Sequence, residues 1–536
     1  MSPSQLYENA AFFTAAGRPR AEAMVVRDGR IAYVGDRETA GRIAGPGHTA
    51  VDLGGGLVLP GFVDGHAHVL GTGEATRQAD LAGAADFPEV ARRIRAWAAD
   101  HPGAPRVRAT AWRHDAVDGR PTRQLLDALV PDRPVYVQAY DYHSIWVNTA
   151  ALAELGIDRT TPDTPGGRIE RDASGEPTGY IDETAMQQLV WPVLDALETD
   201  ADRDAHLEAA LAAYRSSGVT AAVDMGLNAA DLAALERAEQ AGTLTARIVG
   251  HWRIEHHGDT GRALEEVAHA ARLAERYRSE RLRVTGIKIM VDGTVDGCTA
   301  AMGAPFADGS HPGPIWDPKA LDAVVAAADA AGLQVAMHAI GDEAVRLAIA
   351  AVEHATAANG PAPRRHRIEH LEVTAAEDVV RLGALGITAS MQPVHADPAI
   401  QDNWRKQLGD ERIERGFAWP EMTAAGAPLA FGTDSPTAPH APLPNMFVAA
   451  TRRSAQDPAL APNLEHYAVP LADAITHGTA DAARACRAED RFGRLAAGLH
   501  ADFTVVDRDV FAGPAETLLR ARVLRTVVGG ADVWTG

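Results

Sequence analysis

From about residue 60 to residue 435 the chain alternates short apolar runs with stretches in which apolar residues recur at helical spacing. Leu321, Val324, Val325 and Ala328 stand at i, i+3, i+4 and i+7 and are stopped by Gly332; Val345, Ala348, Ile349 and Val352 repeat the pattern. The apolar runs predict strands at about 61–68, 219–225, 246–254, 284–291, 333–338, 366–371, 387–392 and 428–434. The run at 246–254 is the least regular, because Arg247 and Arg253 interrupt it. Strands separated mostly by helical stretches pair in parallel through right-handed crossovers, and with eight such units the natural closure is an α/β, TIM-like (β/α)8 barrel.

The two ends of the chain have a different texture. Between Leu6 and Asp52, runs such as Ala23 to Val26 and Ile31 to Gly35 alternate with Asp-Gly and Gly-Asp turns, and Ala501 to Asp507 and Val523 to Val528 look the same. A small β-sandwich-like domain is therefore expected from residues 1–58 and 487–536, with the barrel in 59–71 and 201–486. Residues 72–200 fit no single βα unit: Arg-Pro, Asp-Gly and Pro-Gly-Gly turns punctuate strand-like Pro134 to Gln138 and a polar stretch around Arg168. They are expected to be an insertion after the first barrel strand. Such an insertion leaves the barrel at its C-terminal face, where active sites are built, so it is expected near the active-site mouth.

Charge and cysteine content narrow the partners. With 51 Lys and Arg against 72 Asp and Glu, the net charge of −21 disfavours nucleic acid and anionic membrane surfaces. Two cysteines, Cys298 and Cys486, exclude a disulfide framework and a cysteine-rich zinc cage. No segment approaches 18 uninterrupted apolar residues, and the N-terminal residues lack the charged start and apolar run of a secretory signal. A soluble cytoplasmic protein with a small-molecule substrate is expected, with homodimerisation left open.

Polar residues at the ends of the predicted strands carry the candidate chemistry. His66 and His68 close the first strand two positions apart, and residues i and i+2 of a strand point the same way, so both imidazoles can face one ion. A His-X-His pair also occurs on ordinary surfaces. His338 and His370 each close an apolar run, about thirty residues apart, the spacing of one βα unit; each alone would read as a packed histidine. Asp434 ends the last strand, where it is either a turn aspartate or an acceptor for a proton from metal-activated water. Lys288 lies among apolar residues, and burying an ammonium is costly. It is a strand-edge lysine, a member of a buried ion pair, a depressed-pKa amine, or a lysine converted to an acidic metal ligand.

Taken in order, GFVDGHAHV, GIKIMVDGT, MHAIGDEAV, RHRIEH, SMQPVHA, AFGTDSP and GRLAAGLHADFTVVDRD span nearly the whole chain and resemble the amidohydrolase superfamily, in the long-insert branch called amidohydrolase family 3. The resemblance implies a metal centre bound by His66, His68, His338 and His370, with Lys288 carboxylated to bridge two metals and Asp434 as proton shuttle. It implies substrate-side loops at Asp141 to Asn148 and Gly166 to Asp172, with His143 and Trp146 as substrate-binding candidates beside Gln392 and His395 after the seventh strand. His143 is equally readable as a structural histidine packed on Trp146. The chain has DYH where the branch has DGH, DGT for DGS, and GTDSPT for GSD-x-PV; these departures bear on substrate choice and leave the ligand set intact.

The expected activity is metal-dependent hydrolysis of a C–N bond of amide type, N-formyl or N-acyl, with one or two divalent ions. Zinc is favoured for a nitrogen- and oxygen-rich site, and iron or manganese are the alternatives. Competing readings are a deaminase or a cyclic amidine or ester hydrolase of the same superfamily, and a non-catalytic barrel scaffold. A calcium loop at Asp292 to Gly297 fails the EF-hand pattern. Cys298 is expected to be a small structural thiol rather than a pocket residue.

Overall fold

A computed structural model describes residues 4–17, 19–164 and 166–536. Its central sheet has eight parallel strands in chain order: β1 (Phe62–Ala67), β2 (Val219–Leu227), β3 (Arg247–Ile254), β4 (Leu282–Met290), β5 (Gln334–Ala339), β6 (Arg367–His370), β7 (Thr388–Met391) and β8 (Leu429–Phe431). Six residues of β1 in a row are buried, as are all those of β5 to β8, which is why these strands read as unbroken apolar runs rather than alternating ones. The intervening helices cover the outside. Pro318–Ala330 buries the predicted stripe of Leu321, Val324, Val325 and Ala328, and the Asp317 carboxylate caps its start by accepting from the Lys319 and Ala320 amides.

The barrel closes where β8 meets β1. Ala67 pairs with Ser435 through a parallel bridge, the Asp434 amide donates to the His66 carbonyl at 2.7 Å, and Asp64 accepts from the Thr433 amide and hydroxyl at 2.8 and 2.6 Å. The seam admits no side chain at Gly432, where a Cβ would lie 2.3 Å from the His66 nitrogen.

The irregular strand at 246–254 forms as β3, and the reason its arginine is tolerated lies outside the barrel. Arg247 is buried and donates to both carboxylate oxygens of Asp502, at 2.6 and 3.0 Å. A bidentate pair satisfies the guanidinium that an apolar environment would otherwise expel.

Both chain ends build the small β domain. Leu57–Pro60 pairs antiparallel with Phe503–Val506 in a six-stranded sheet that also holds Ala11–Phe13, Arg20–Ala21, Val523–Val528 and Ala531–Thr535. A four-stranded sheet from Gln5–Glu8, Ala23–Arg27, Arg30–Gly35 and Thr49–Asp52 accompanies it, and Tyr7, Phe12, Met24, Val58, Phe503 and Val527 share one core.

Residues Leu70–Ala210 form a separate compact unit. Its six-stranded sheet runs Gly167–Arg171, Pro177–Asp182, Ser144–Val147, Val135–Ala139, Val107–Trp112 and Ala79–Asp80, over a core centred on Trp112 and Trp146 with ring centroids 5.5 Å apart. Among the described residues no helix is long and apolar enough to cross a membrane.

Candidate metal centre

Parallel strands deliver their last residues to one end of the barrel, and here those residues converge. His66 Nε2 and His68 Nε2 each lie 3.2 Å from Asp434 Oδ1. The rings of His66 and His370 are 4.9 Å apart and those of His370 and His338 4.5 Å apart. Lys288 Nζ, on β4, reaches His66 Nε2 at 3.4 Å. The structure thus brings together six side chains that stand up to 368 positions apart in sequence, from His66 to Asp434.

The backbone is bent to achieve this. His370, Leu371 and Asp434 have φ of 76°, 52° and 59°, a left-handed conformation uncommon for residues with a Cβ. Such strain persists only where the surroundings over-determine it, and it clusters at functional sites.

Burial and charge set the protonation of the group. Burial pushes the Lys288 amine down to about 8, against the pull of Glu369 and Asp434. Burial alone would raise the Asp434 carboxyl, but His66, His68 and His370 outweigh it and hold it well below the usual carboxylate range. Burial, reinforced by His338, keeps the His370 imidazole well below its ordinary value. A neutral imidazole is the metal-binding form.

Glu369 is the functional residue that sequence reasoning passed over, although it stands inside the RHRIEH motif. Its Oε2 accepts from His66 Nδ1 at 2.7 Å, and both its oxygens accept from Arg367, Nε at 2.5 Å and Nη2 at 3.0 Å. Arg367 also donates to the Gly65 carbonyl and the Ser390 hydroxyl, tying β1, β6 and β7 together. With Nδ1 engaged by Glu369, Nε2 is the His66 atom that faces the cluster and is available to a cation.

These residues fit a divalent cation. His370 Nδ1 is buried without a hydrogen-bond partner, a state that ordinarily carries a penalty. Two sets of potential ligand atoms, His66, His68 and Asp434, and His370, His395 and Asp434, each lie within 4.8 Å of one another. Imidazole nitrogens with a carboxylate are the donors that zinc and its first-row neighbours take.

His338 is held differently from the other three histidines. Its Nε2 lies 3.1 Å from the Gly293 carbonyl and 3.6 Å from Asp292. Asp292 accepts from the amides of Ile340, Gly341 and Ala301 at 2.9 to 3.0 Å, with burial raising its carboxyl to about 7. Its oxygens are spent on the strand end that carries His338, which leaves no calcium loop there. Cys298 is half-buried, and burial pushes its thiol up to about 11, away from nucleophile chemistry.

Gln392 and His395 follow β7. Gln392 is buried with an unpartnered Oε1, and His395 Nε2 lies 3.7 Å from Asp434 Oδ2. The two remaining candidates belong to the unit of Leu70–Ala210. Trp146 is fully buried in that unit's core, with its indole N–H on the Thr122 carbonyl at 2.9 Å, a packing position rather than a surface for ligand. His143 Nδ1 pairs with Glu183 Oε2 at 2.9 Å, and its amide donates to Asp141 at 3.1 Å.

Comparison with known proteins agrees with this geometry. The sequence profile of the amidohydrolase family matches residues 49–533. The chain is 30% identical to the putative amidohydrolase YtcJ of Bacillus subtilis over 96% of both chains, and 28% identical to the N-substituted formamide deformylase of Arthrobacter pascens over 95% of this chain and 94% of that one. A crystal structure of an uncharacterized metal-dependent hydrolase from Pyrococcus horikoshii superposes with a TM-score of 0.78 at 25% identity, covering 96% of this chain and 99% of the other. A strand-end cluster of four histidines, a buried lysine and an aspartate, on a barrel flanked by a β domain from both termini, belongs with that lineage: this chain is a member of the amidohydrolase family of hydrolases.

Proposed function

We propose that the protein hydrolyses the C–N bond of an amide-type substrate, N-formyl or N-acyl, with one or two divalent metals, zinc foremost. The observation that carries this reading is the convergence of His66, His68 and His370 on the buried Asp434 carboxylate, with Lys288 Nζ beside them at 3.4 Å from His66 Nε2. The likeness to a formamide deformylase supports the amide class, and the retained ligand set speaks against a non-catalytic scaffold.

In this reading His66, His68, His338 and His370 hold the metal, joined by Lys288 in carboxylated form. Carboxylation answers the cost of keeping an ammonium among imidazoles at a position 1% exposed, because a carbamate is an anion that cations satisfy. A bound divalent ion supplies Lewis acidity, which makes water nucleophilic near neutral pH and polarises a carbonyl. Asp434, ionised and held by the seam hydrogen bond from its own amide, accepts the proton of the attacking water at a carboxylate oxygen. It then returns that proton to the departing nitrogen, without which an amide anion is a poor leaving group. Glu369 keeps His66 in the tautomer that presents Nε2. Gln392 and His395 are the side chains proposed to meet substrate. Cytoplasmic placement fits two cysteines that are both unpaired.

The test is a panel of N-formyl and N-acyl amines, esters and cyclic amidines with metal-loaded protein, with metal content read by elemental analysis. Asp434→Asn is expected to retain metal and lose turnover by about 10²- to 10⁴-fold. Full activity in that variant removes Asp434 from the mechanism, and turnover of amidines alone replaces the amide reading with a deaminase.

A further inference from the structure

Beyond the proposed ligands, a pair formed by buried Glu372 and half-buried His395 turns its histidine toward the same carboxylate. Strand β6 ends at His370, and His370 and the following Leu371 are both left-handed, directly before Glu372. Glu372 is buried, and its Oε2 accepts from the Trp404 indole N–H at 2.8 Å while its backbone carbonyl accepts from the Phe417 amide at 2.9 Å. Its other oxygen, Oε1, stands 3.7 Å from His395 Nδ1. His395 sits on a single turn of 3₁₀ helix, Pro393–Ala396, pinned by the Val394 amide on Asn445 at 2.8 Å. Its Nε2 points the opposite way, to Thr437 Oγ1 at 3.2 Å and Asp434 Oδ2 at 3.7 Å.

The available hydrogens fix which of these atoms donates. The Thr437 hydroxyl gives its only proton to the Asp434 carbonyl at 2.7 Å, so toward His395 it can only accept. His395 Nε2 therefore carries a hydrogen. That hydrogen rests on a neutral hydroxyl, a weaker acceptor than an anion, at the edge of the group formed by His370, His395 and Asp434.

We propose that His395, oriented by Glu372, is the donor that receives the acyl oxygen of the substrate and stabilises the negative charge developing there. Water oxygen bonds to the carbonyl carbon as its proton passes to Asp434, the C=O π pair moves onto oxygen within reach of the His395 N–H, and that pair re-forms C=O as the C–N pair leaves on nitrogen, which takes the proton back from Asp434. No proton leaves His395 in this sequence. Glu372 is a positioning residue: it does not meet the substrate but holds the ring at the angle that aims Nε2 inward, with Trp404 holding Glu372 in turn. The assignment rests on the hydrolase reading and adds to it the residue that recognises the oxyanion.

The experiment uses methylphosphonate, a tetrahedral oxyanion, as probe of metal-loaded full-length protein by calorimetry, with metal content measured alongside. His395→Gln is expected to keep the metal and bind methylphosphonate about 10- to 100-fold more weakly, the worth of one hydrogen bond to a charged group. Glu372→Gln is expected to keep the metal and lose part of that affinity, and the double variant to be no weaker than His395→Gln alone, because both act through one donor. On any amide that the protein turns over, His395→Gln is expected to lower kcat about 10²- to 10³-fold with little change in KM. Unchanged phosphonate affinity in His395→Gln, no measurable binding by the unmodified protein, or loss of metal from His395→Gln would overturn the assignment. The last of these outcomes would make His395 a ligand. Failure of the whole amide panel counts against the hydrolase reading alone and leaves the phosphonate measurements to decide this one.

Discussion

Replacing Glu369 by glutamine probes how a residue that touches no substrate holds the centre together. The carboxylate is fully buried, accepts from His66 Nδ1 at 2.7 Å and pairs with Arg367 through two hydrogen bonds. Glutamine keeps the shape, loses the charge and turns an N–H₂ toward either the guanidinium or His66 Nδ1. Arg367 is left with the Gly65 carbonyl and the Ser390 hydroxyl as its remaining partners. Breaking a buried pair by removing one charge costs about 3–5 kcal/mol. A carboxylate behind a metal-ligating histidine is worth about 10- to 100-fold in metal affinity, or about 1.4–2.7 kcal/mol. Metal affinity is measured by chelator competition, and stability by denaturant unfolding of the metal-free protein. Arg367→Met with Glu369→Leu separates the two effects, since an apolar replacement of both partners restores stability but not His66 orientation. Wild-type metal affinity in Glu369→Gln would refute the claim that this carboxylate orients His66.

Two further predictions concern stability. His251 is buried, its Nε2 meets Gln334 Oε1 at 2.9 Å, and burial lowers its imidazole from 6.5 to about 3. Below pH 6.5 the unfolded chain takes up a proton that the folded one refuses, so the metal-free protein should lose about 1.4 kcal/mol per pH unit from this group down to about pH 3. Unfolding curves against pH check this, and His251→Asn should flatten the slope by one proton's worth. Asp502→Asn strands the Arg247 guanidinium between β3 and the C-terminal strands, at a cost of about 3–5 kcal/mol by denaturant unfolding, whereas Arg247→Met with Asp502→Leu should recover most of it.

Much of this architecture is legible in the sequence, for a physical reason. A parallel strand buried on both faces must be apolar throughout, so its polar last residue stands out against the run, as His338 does after Val335, Ala336 and Met337. The same contrast marks His66, His370 and Asp434 from the residue pattern alone. Glu369 and Arg367 are illegible by the same logic, because in Arg-Ile-Glu-His they look like ordinary alternation, and the histidine that Glu369 holds lies 303 positions away. Glu372 is hidden further, since only the two left-handed residues before it decide where it points. Arg247 reads as an interruption of its strand because its partner, Asp502, comes 255 residues later. Trp146 carries the opposite lesson: an aromatic beside a candidate histidine is a core residue of its own unit.

Whether the strand-end histidines enclose a metal is decided by anomalous diffraction from crystals of the metal-loaded protein, collected on both sides of the metal absorption edge. Anomalous density is expected within the ring of His66, His68, His338, His370 and Asp434, and is expected to vanish in a His66→Ala, His68→Ala double variant. Density elsewhere, or none in fully loaded crystals that keep the histidines clustered around Asp434, would show that these side chains do not form a metal centre.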